Sequence, residues 1–219
     1  MRSMHRSIHQ ETIGFVRESF FSRLLTKLNS VWLAATYPFA GAGRNLSLHY
    51  ASEISRSLAT RIRLGNHVEI GRHTWLHLGM EGNHEIKITI EDNCRIAERC
   101  TITAKNCIHL EPDVVLGSDV LVMDHNHAYE DVTMPIKDQG PTPGGRIRIE
   151  QGCRIGQGAA VVCHKGELVL GRNSVVAPGT VVTRSFPPDS VLSGNPARTV
   201  QKSEIGQLRA EQEIVSTPK

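Results

Sequence analysis

A six-residue period constrains this chain more than any other feature. Aliphatic residues recur at Leu64, Ile70 and Leu76, at Ile90, Ile96 and Ile102, at Leu110, Leu116 and Val122, at Ile149, Ile155 and Val161, and at Leu170, Val176 and Val182. A fixed repeat implies stacked units, each burying its apolar side only against its neighbours. Three hexads suit one triangular coil with one flat side per hexad. The five groups therefore predict an all-β fold, a left-handed parallel β-helix of about five triangular coils. Four places after the aliphatic residue, the first two hexads of each group carry small or compact side chains, among them Val68, Thr74, Cys94, Cys100, Cys153, Ala159 and Ser174. A narrow interior requires this. In the third hexads that slot holds Met80, Asn106, Asn126, Lys165 and Phe186, so the chain is expected to leave the coil along one edge. Glycine directly after the aliphatic residue, at Gly65, Gly71, Gly117, Gly156 and Gly171, reads as a corner with unusual backbone angles. A β-sandwich would explain local alternation such as Arg146 to Ile149, but not one step size kept along the chain.

Around this repeat the chain divides into an N-terminal helical segment and lead-in (1–60), the β-helix (61–202) and a polar C-terminal tail (203–219). Phe15, Phe20, Leu24, Leu28 and Val31 lie at helical spacing with Arg17, Arg23 and Lys27 on other faces. They predict an amphipathic helix over roughly Glu11 to Ala35. It could pack on the β-helix stem or a neighbouring subunit, or attach peripherally to a membrane carrying a lipid-linked substrate. The longest break in the period, residues 123–148, reads as a loop ejected from the scaffold, where chemistry concentrates. It opens Met-Asp-His-Asn-His-Ala-Tyr-Glu-Asp at 123–131 and runs into a Pro/Gly-rich stretch ending at Gly145.

With 219 residues there is enough chain for one substantial core. The net charge of +3 and the scattered basic residues do not make the one-sided patch of a nucleic-acid binder. Five cysteines without a CxxC pair, and no recognisable cleavable leader, point to packing roles in a reducing, cytoplasmic setting. The longest uncharged stretch, Leu28 to Gly43, is too short and polar to span a bilayer.

Proton-transfer chemistry at neutral pH needs a base near neutral pKa, and histidine meets that need. His125 and His127 sit at the mouth of the loop, with Asp124, Glu130 and Asp131 close enough in sequence to fix an imidazole tautomer. The hexads, the run Asp124-His-Asn-His-Ala-Tyr-Glu-Asp131 and the closing Gly194-Asn-Pro-Ala-Arg198 resemble the hexapeptide-repeat acyltransferases that acetylate sugars, polysaccharides and some antibiotics. The resemblance covers about Ile62 to Gln201. It implies a loop histidine as general base: alignment with antibiotic and capsule members favours His127, and galactoside-type relatives align with His125. It also implies a homotrimer with a coenzyme A groove between coils of adjacent subunits, with acetyl-CoA as co-substrate and no metal. Matching positions for the cofactor are Gln157, Ala159, Thr183, Arg184 and Arg198, the arginines suiting its phosphates. An Asn that some relatives place near the histidine aligns with Ala97, and Asn106 is a nearby candidate.

The implied function is O-acylation of a sugar or polysaccharide hydroxyl. The alternatives are a nucleotide-sugar N-acyltransferase or an antibiotic acetyltransferase. A γ-type carbonic anhydrase would need three histidines converging on one metal, and His67, His73, His77, His109, His125, His127 and His164 do not reproduce the spaced pair of coil-face histidines of that class. A non-catalytic β-helix module would leave the histidine-bearing loop without a purpose.

Overall fold

The computed structural model describes residues 20–79 and 85–200. Its β-strands form three parallel sheets, the three faces of a β-helix. The hexad residues all turn inward. Leu64, Ile90, Leu110, Ile149 and Leu170 stack in register on the first face. Ile70, Ile96, Leu116, Ile155 and Val176 do so on the second, and Leu76, Ile102, Val122, Val161 and Val182 on the third. All are essentially inaccessible to solvent and belong to one continuous core. Parallel strands buried on the inner side favour β-branched and aliphatic residues, which is why the period is so legible.

The coil count exceeds expectation by one. Gly41–Ala42, Ser47–Leu48 and Glu53–Ile54 pair in parallel with Ile62–Leu64, Glu69–Ile70 and Trp75–Leu78 and make a coil of their own. Ala42, Leu48 and Ile54 keep the six-residue step, but Ala42 is a weak aliphatic marker and polar residues surround Leu48. The lead-in assigned to residues 1–60 thus contains the first of about six coils. At the other end Phe186 bridges to Leu170 and Val191–Ser193 pairs with Val175–Val176, beginning a further partial coil. Arg198–Thr199 then folds back antiparallel on Val191–Ser193.

The corner glycines act differently from the reading above. Positive φ falls three places after the hexad residue, at Asn45, His67, His73, Asn93, Arg99, Asp113, Asp119, Asn173 and Asp189 and at Gly152, Gly158 and Gly179. Gly65, Gly71, Gly117, Gly156 and Gly171 are not among the positive-φ residues. They are needed for close approach instead: a Cβ on Gly156 would lie 2.6 Å from the backbone nitrogen of Pro178 in the next coil, and one on Gly171 2.3 Å from that of Pro188.

The N-terminal helix α1 spans Phe20–Thr36, while residues 11–19 of the predicted helix and the tail 203–219 lie outside the described residues. It closes the open edge of the second sheet at its first strand. The Leu48 N–H donates to Ser30 Oγ at 2.7 Å, and Asn29 Nδ2 donates to the Leu48 carbonyl at 3.1 Å. No described helix is long and apolar enough to cross a membrane.

Candidate active site

The ejected loop leaves the third face after Leu121–Met123 and returns at Gly144–Ile149, so it comprises residues 124–143, slightly less than predicted. Its departure is fixed by one residue. Two places after the inward-facing Val122, a strand side chain points inward again. The neighbouring coils fill this slot with Leu78, Ala104 and Cys163, but here it holds Asp124, which is 0 % exposed.

A buried carboxylate is tolerated only when hydrogen-bonded, and Asp124 is bonded throughout. Its Oδ1 accepts the Lys105 N–H at 2.7 Å, and its Oδ2 accepts those of Asn106 and Cys107 at 2.8 and 2.9 Å. These three amides belong to the turn of the preceding coil, which the carboxylate therefore shapes. The remaining contact is from Asp124 Oδ1 to His125 Nδ1, at 3.0 Å. With Nδ1 as donor to the acid, the neutral ring carries its lone pair on Nε2. His125 is thus oriented, tautomer-selected and only 18 % exposed.

His127 differs. It is exposed, its backbone N–H is held by Asn126 Oδ1, and its ring has no hydrogen-bond partner among the described residues. Glu130 and Asp131, expected as alternative acidic partners, do not reach either ring. Asp131 instead accepts bonds from Thr133, and its carbonyl accepts one from Gln139.

The loop stem is clamped. Asn126 and Thr142 exchange bonds, Ala128 N–H donates to the Gly140 carbonyl, and Lys105 Nζ and Asn106 Nδ2 donate to the carbonyls of Thr142 and Pro143. Asn106 therefore holds the stem, and Ala97 is buried on the second face, away from the loop. Beneath the loop on the third face, His77 aligns with Thr103 and Thr103 with Met123. The His77 ring stacks on Trp75 at 4.5 Å. Burial, and then repulsion from His125, hold the His77 pKa below its usual value. Sequence reasoning passed over Trp75 and His77 as a pair, although their i, i+2 spacing on an exposed strand face was available.

The predicted cofactor residues bracket the third face. Met123 aligns with Val162 and Val161 with Val182, which puts Thr183 two strands, roughly 10 Å, along the stack from the coil of His125. Thr183 and Arg184 are exposed at the same edge as the loop, and the Arg184 guanidinium lies 5.1 Å from the Phe186 ring centre. Gln157 is at the opposite corner, bonded to Asp119, and Arg198 is exposed on the closing strand. Ala159 needs correction. It fills the interior slot, 0 % exposed, and its N–H and carbonyl are engaged by Gly156 and Leu121, so its side chain cannot meet a cofactor. Among the described residues no three or more His, Cys, Asp or Glu converge as a metal-binding group.

No family model matches the chain. A Mycobacterium tuberculosis protein named as a probable acetyltransferase is 27 % identical over 169 residues, covering 74 % of this chain and 50 % of the relative. Galactoside O-acetyltransferase of Escherichia coli is 26 % identical over 139 residues, covering 63 % of this chain and 55 % of the relative. In sequence the chain is thus similar to proteins named as acetyltransferases. It spans about half the length of these curated relatives. Among solved structures, the fold matches an N-acyltransferase from Bacillus cereus in complex with dTDP and 3-hydroxybutyryl-CoA, at a TM-score of 0.62 and 19 % identity, covering 86 % of this chain and 94 % of the other.

Proposed function

We propose that the protein transfers an acetyl group from acetyl-CoA to a hydroxyl of a sugar or polysaccharide, with His125 as general base. The observation that carries this is the Asp124–His125 pair at 3.0 Å, buried on the acid side and open at the mouth of the loop. The thioester supplies the activated acyl carbonyl. His125 Nε2 takes the hydroxyl proton as the oxygen attacks that carbonyl, and the resulting imidazolium returns it to the sulfur as the C–S bond breaks. Asp124 stays ionised and stabilises the imidazolium.

Arg184, Thr183 and Arg198 would hold the coenzyme, the arginines at its phosphates. Charged, exposed side chains at the loop edge fit a polyanionic nucleotide. One coil stack offers only one wall of such a groove, and the loop tip exposes Val132, Met134 and Ile136. Apolar side chains there suit contact with a neighbour in a homotrimer. The fold likeness to a variant of the same Bacillus cereus enzyme crystallised with dTDP-4-amino-4,6-dideoxyglucose and coenzyme A keeps an amino sugar on a nucleotide as the second acceptor class.

The test is free-thiol release by the purified protein with acetyl-CoA and a panel of simple sugars, polysaccharides and nucleotide-linked amino sugars. Release with a hydroxyl acceptor supports the proposal, and release only with amino sugars moves it to N-acylation. No release above hydrolysis, with no coenzyme A binding, removes it. His125→Ala should lower kcat by about a hundredfold or more with little change in coenzyme affinity, and His127→Ala should cost less. The reverse ranking makes His127 the base.

A further inference from the structure

Helix α1 is amphipathic in an inverted sense. Thr26, Ser30 and Leu33 are its buried residues, and Asn29 and Ser30 bond the edge strand. At 100° per residue, Leu24, Leu25, Leu28, Val31 and Trp32 fall within an arc of roughly 120° on the opposite side. These five are between 46 % (Leu24) and 64 % (Val31) exposed. The apolar face thus points away from the β-helix, and the stem packing expected from the sequence uses the polar face instead.

Three observations bear on what covers this face. The first is its place: α1 caps the first coil at the end of the eight-stranded sheet, so the face looks out from the end of the stack, not sideways where a neighbouring β-helix would lie. Charge is the second. The 17 residues of α1 contain no carboxylate, and its two cations, Arg23 and Lys27, are exposed on the flank between the packed face and the apolar face. A second copy docked face to face would bring these cations together with no acid on the helix to pair them. The third is a cleft of about 340 Å³ between helix and first coil, lined by Arg23, Lys27, Thr26, Asn45 and Ser47. Two cations with hydroxyl and amide donors, opening beside an apolar face, suit a phosphate headgroup whose acyl chains meet the leucines.

We infer that α1 is an in-plane membrane anchor that docks the N-terminal end of the β-helix on an anionic phospholipid surface. Leu24, Leu25, Leu28 and Val31 enter the acyl boundary. Trp32, edge-on to Tyr37 at 5.7 Å, sits at headgroup depth, where such rings concentrate. Arg23 and Lys27 reach the phosphates beside it, as cations flanking an interfacial helix do. This inference is independent of the acyl-transfer reading.

The experiment is flotation of the full chain with vesicles of phosphatidylcholine alone and of phosphatidylcholine with one third phosphatidylglycerol, with mass by light scattering in parallel. Binding is expected on the anionic vesicles, weakened at high salt, and weaker by about fivefold for each of Arg23→Gln and Lys27→Gln. Leu28→Glu with Val31→Glu changes only exposed residues. The variant should keep the wild-type circular dichroism spectrum and mass while losing vesicle binding. Three results would overturn the inference: no binding by the folded wild type, equal binding to neutral and anionic vesicles, or a fall in mass in the double variant. The last would assign the face to a second copy of the chain.

Discussion

Asp124→Asn separates what the buried acid does for the fold from what it does for His125. The side chain keeps its shape, but one oxygen becomes an NH2 group that faces donors. If the amide nitrogen occupies the Oδ2 position it opposes the N–H groups of Asn106 and Cys107; at Oδ1 it opposes Lys105 N–H alone and can donate to His125 Nδ1. The second arrangement costs least. It leaves one buried N–H unsatisfied and weakens the two bonds kept by removing the charge, about 2–3 kcal/mol together. For a chain of this size that corresponds to a Tm lower by roughly 4–12 °C. The same arrangement inverts the imidazole, because a ring accepting at Nδ1 carries its proton on Nε2 and has no lone pair there for a substrate. Turnover should therefore fall by about a hundredfold or more, approaching the ~10⁴-fold loss known when the acid behind a catalytic histidine is neutralised. Differential scanning fluorimetry and thiol-release kinetics on the same preparation read both effects. A lower Tm with unchanged turnover would refute the argument that Asp124 selects the His125 tautomer, and an unchanged Tm would refute the claim that the carboxylate shapes the 105–107 turn.

Burial pushes the thiols of Cys94 up to about 12 and of Cys100 and Cys153 to about 11. At pH 8 they are almost wholly protonated, so a disulfide reagent should modify them only as fast as the protein unfolds, and rapid modification in the folded state would contradict the burial. NMR titration should place the His77 midpoint below 6.5, the usual histidine value, since burial and a nearby imidazolium both oppose its protonation. In His125→Ala the midpoint should rise, and a wild-type midpoint above 6.5 would deny the contact. Gly156→Ala should cost about 1–3 kcal/mol by forcing two backbones apart at a corner, seen as a lower unfolding midpoint. A neutral result would show that the corners can spread.

Most of the scaffold was legible because a hexad residue has one interior to face, whatever its coil. The first coil escaped because Ala42, at the end of the stack, is exposed and only a weak aliphatic marker, and the glycine corners were misread because sequence shows that a side chain is absent without showing why. In the site, the histidines and their loop were visible as a break in the period, but the choice between them was not. Adjacency allowed Asp124, Glu130 or Asp131 as the orienting acid, and only the inward slot two places after Val122 singles out Asp124. The amides that hold it come from the preceding coil, some eighteen residues earlier, a distance no local pattern spans. Ala159 illustrates the converse: a position matched to a family's cofactor wall proves to be interior once its neighbours are known.

A stack of parallel coils has no intrinsic stopping point, since each new coil presents the same row of amide and carbonyl groups as the one before. Left bare, those rows could template growth from molecule to molecule into fibres. This chain reverses direction at one end, where Arg198–Thr199 runs antiparallel to Val191–Ser193 and breaks the repeat that another copy would have to match. At the other end the side chains of Asn29 and Ser30 take the Leu48 groups that an incoming strand would need. Both edges of the second sheet are thereby made unlike the repeat between them, so an incoming copy meets no matching strand on that face.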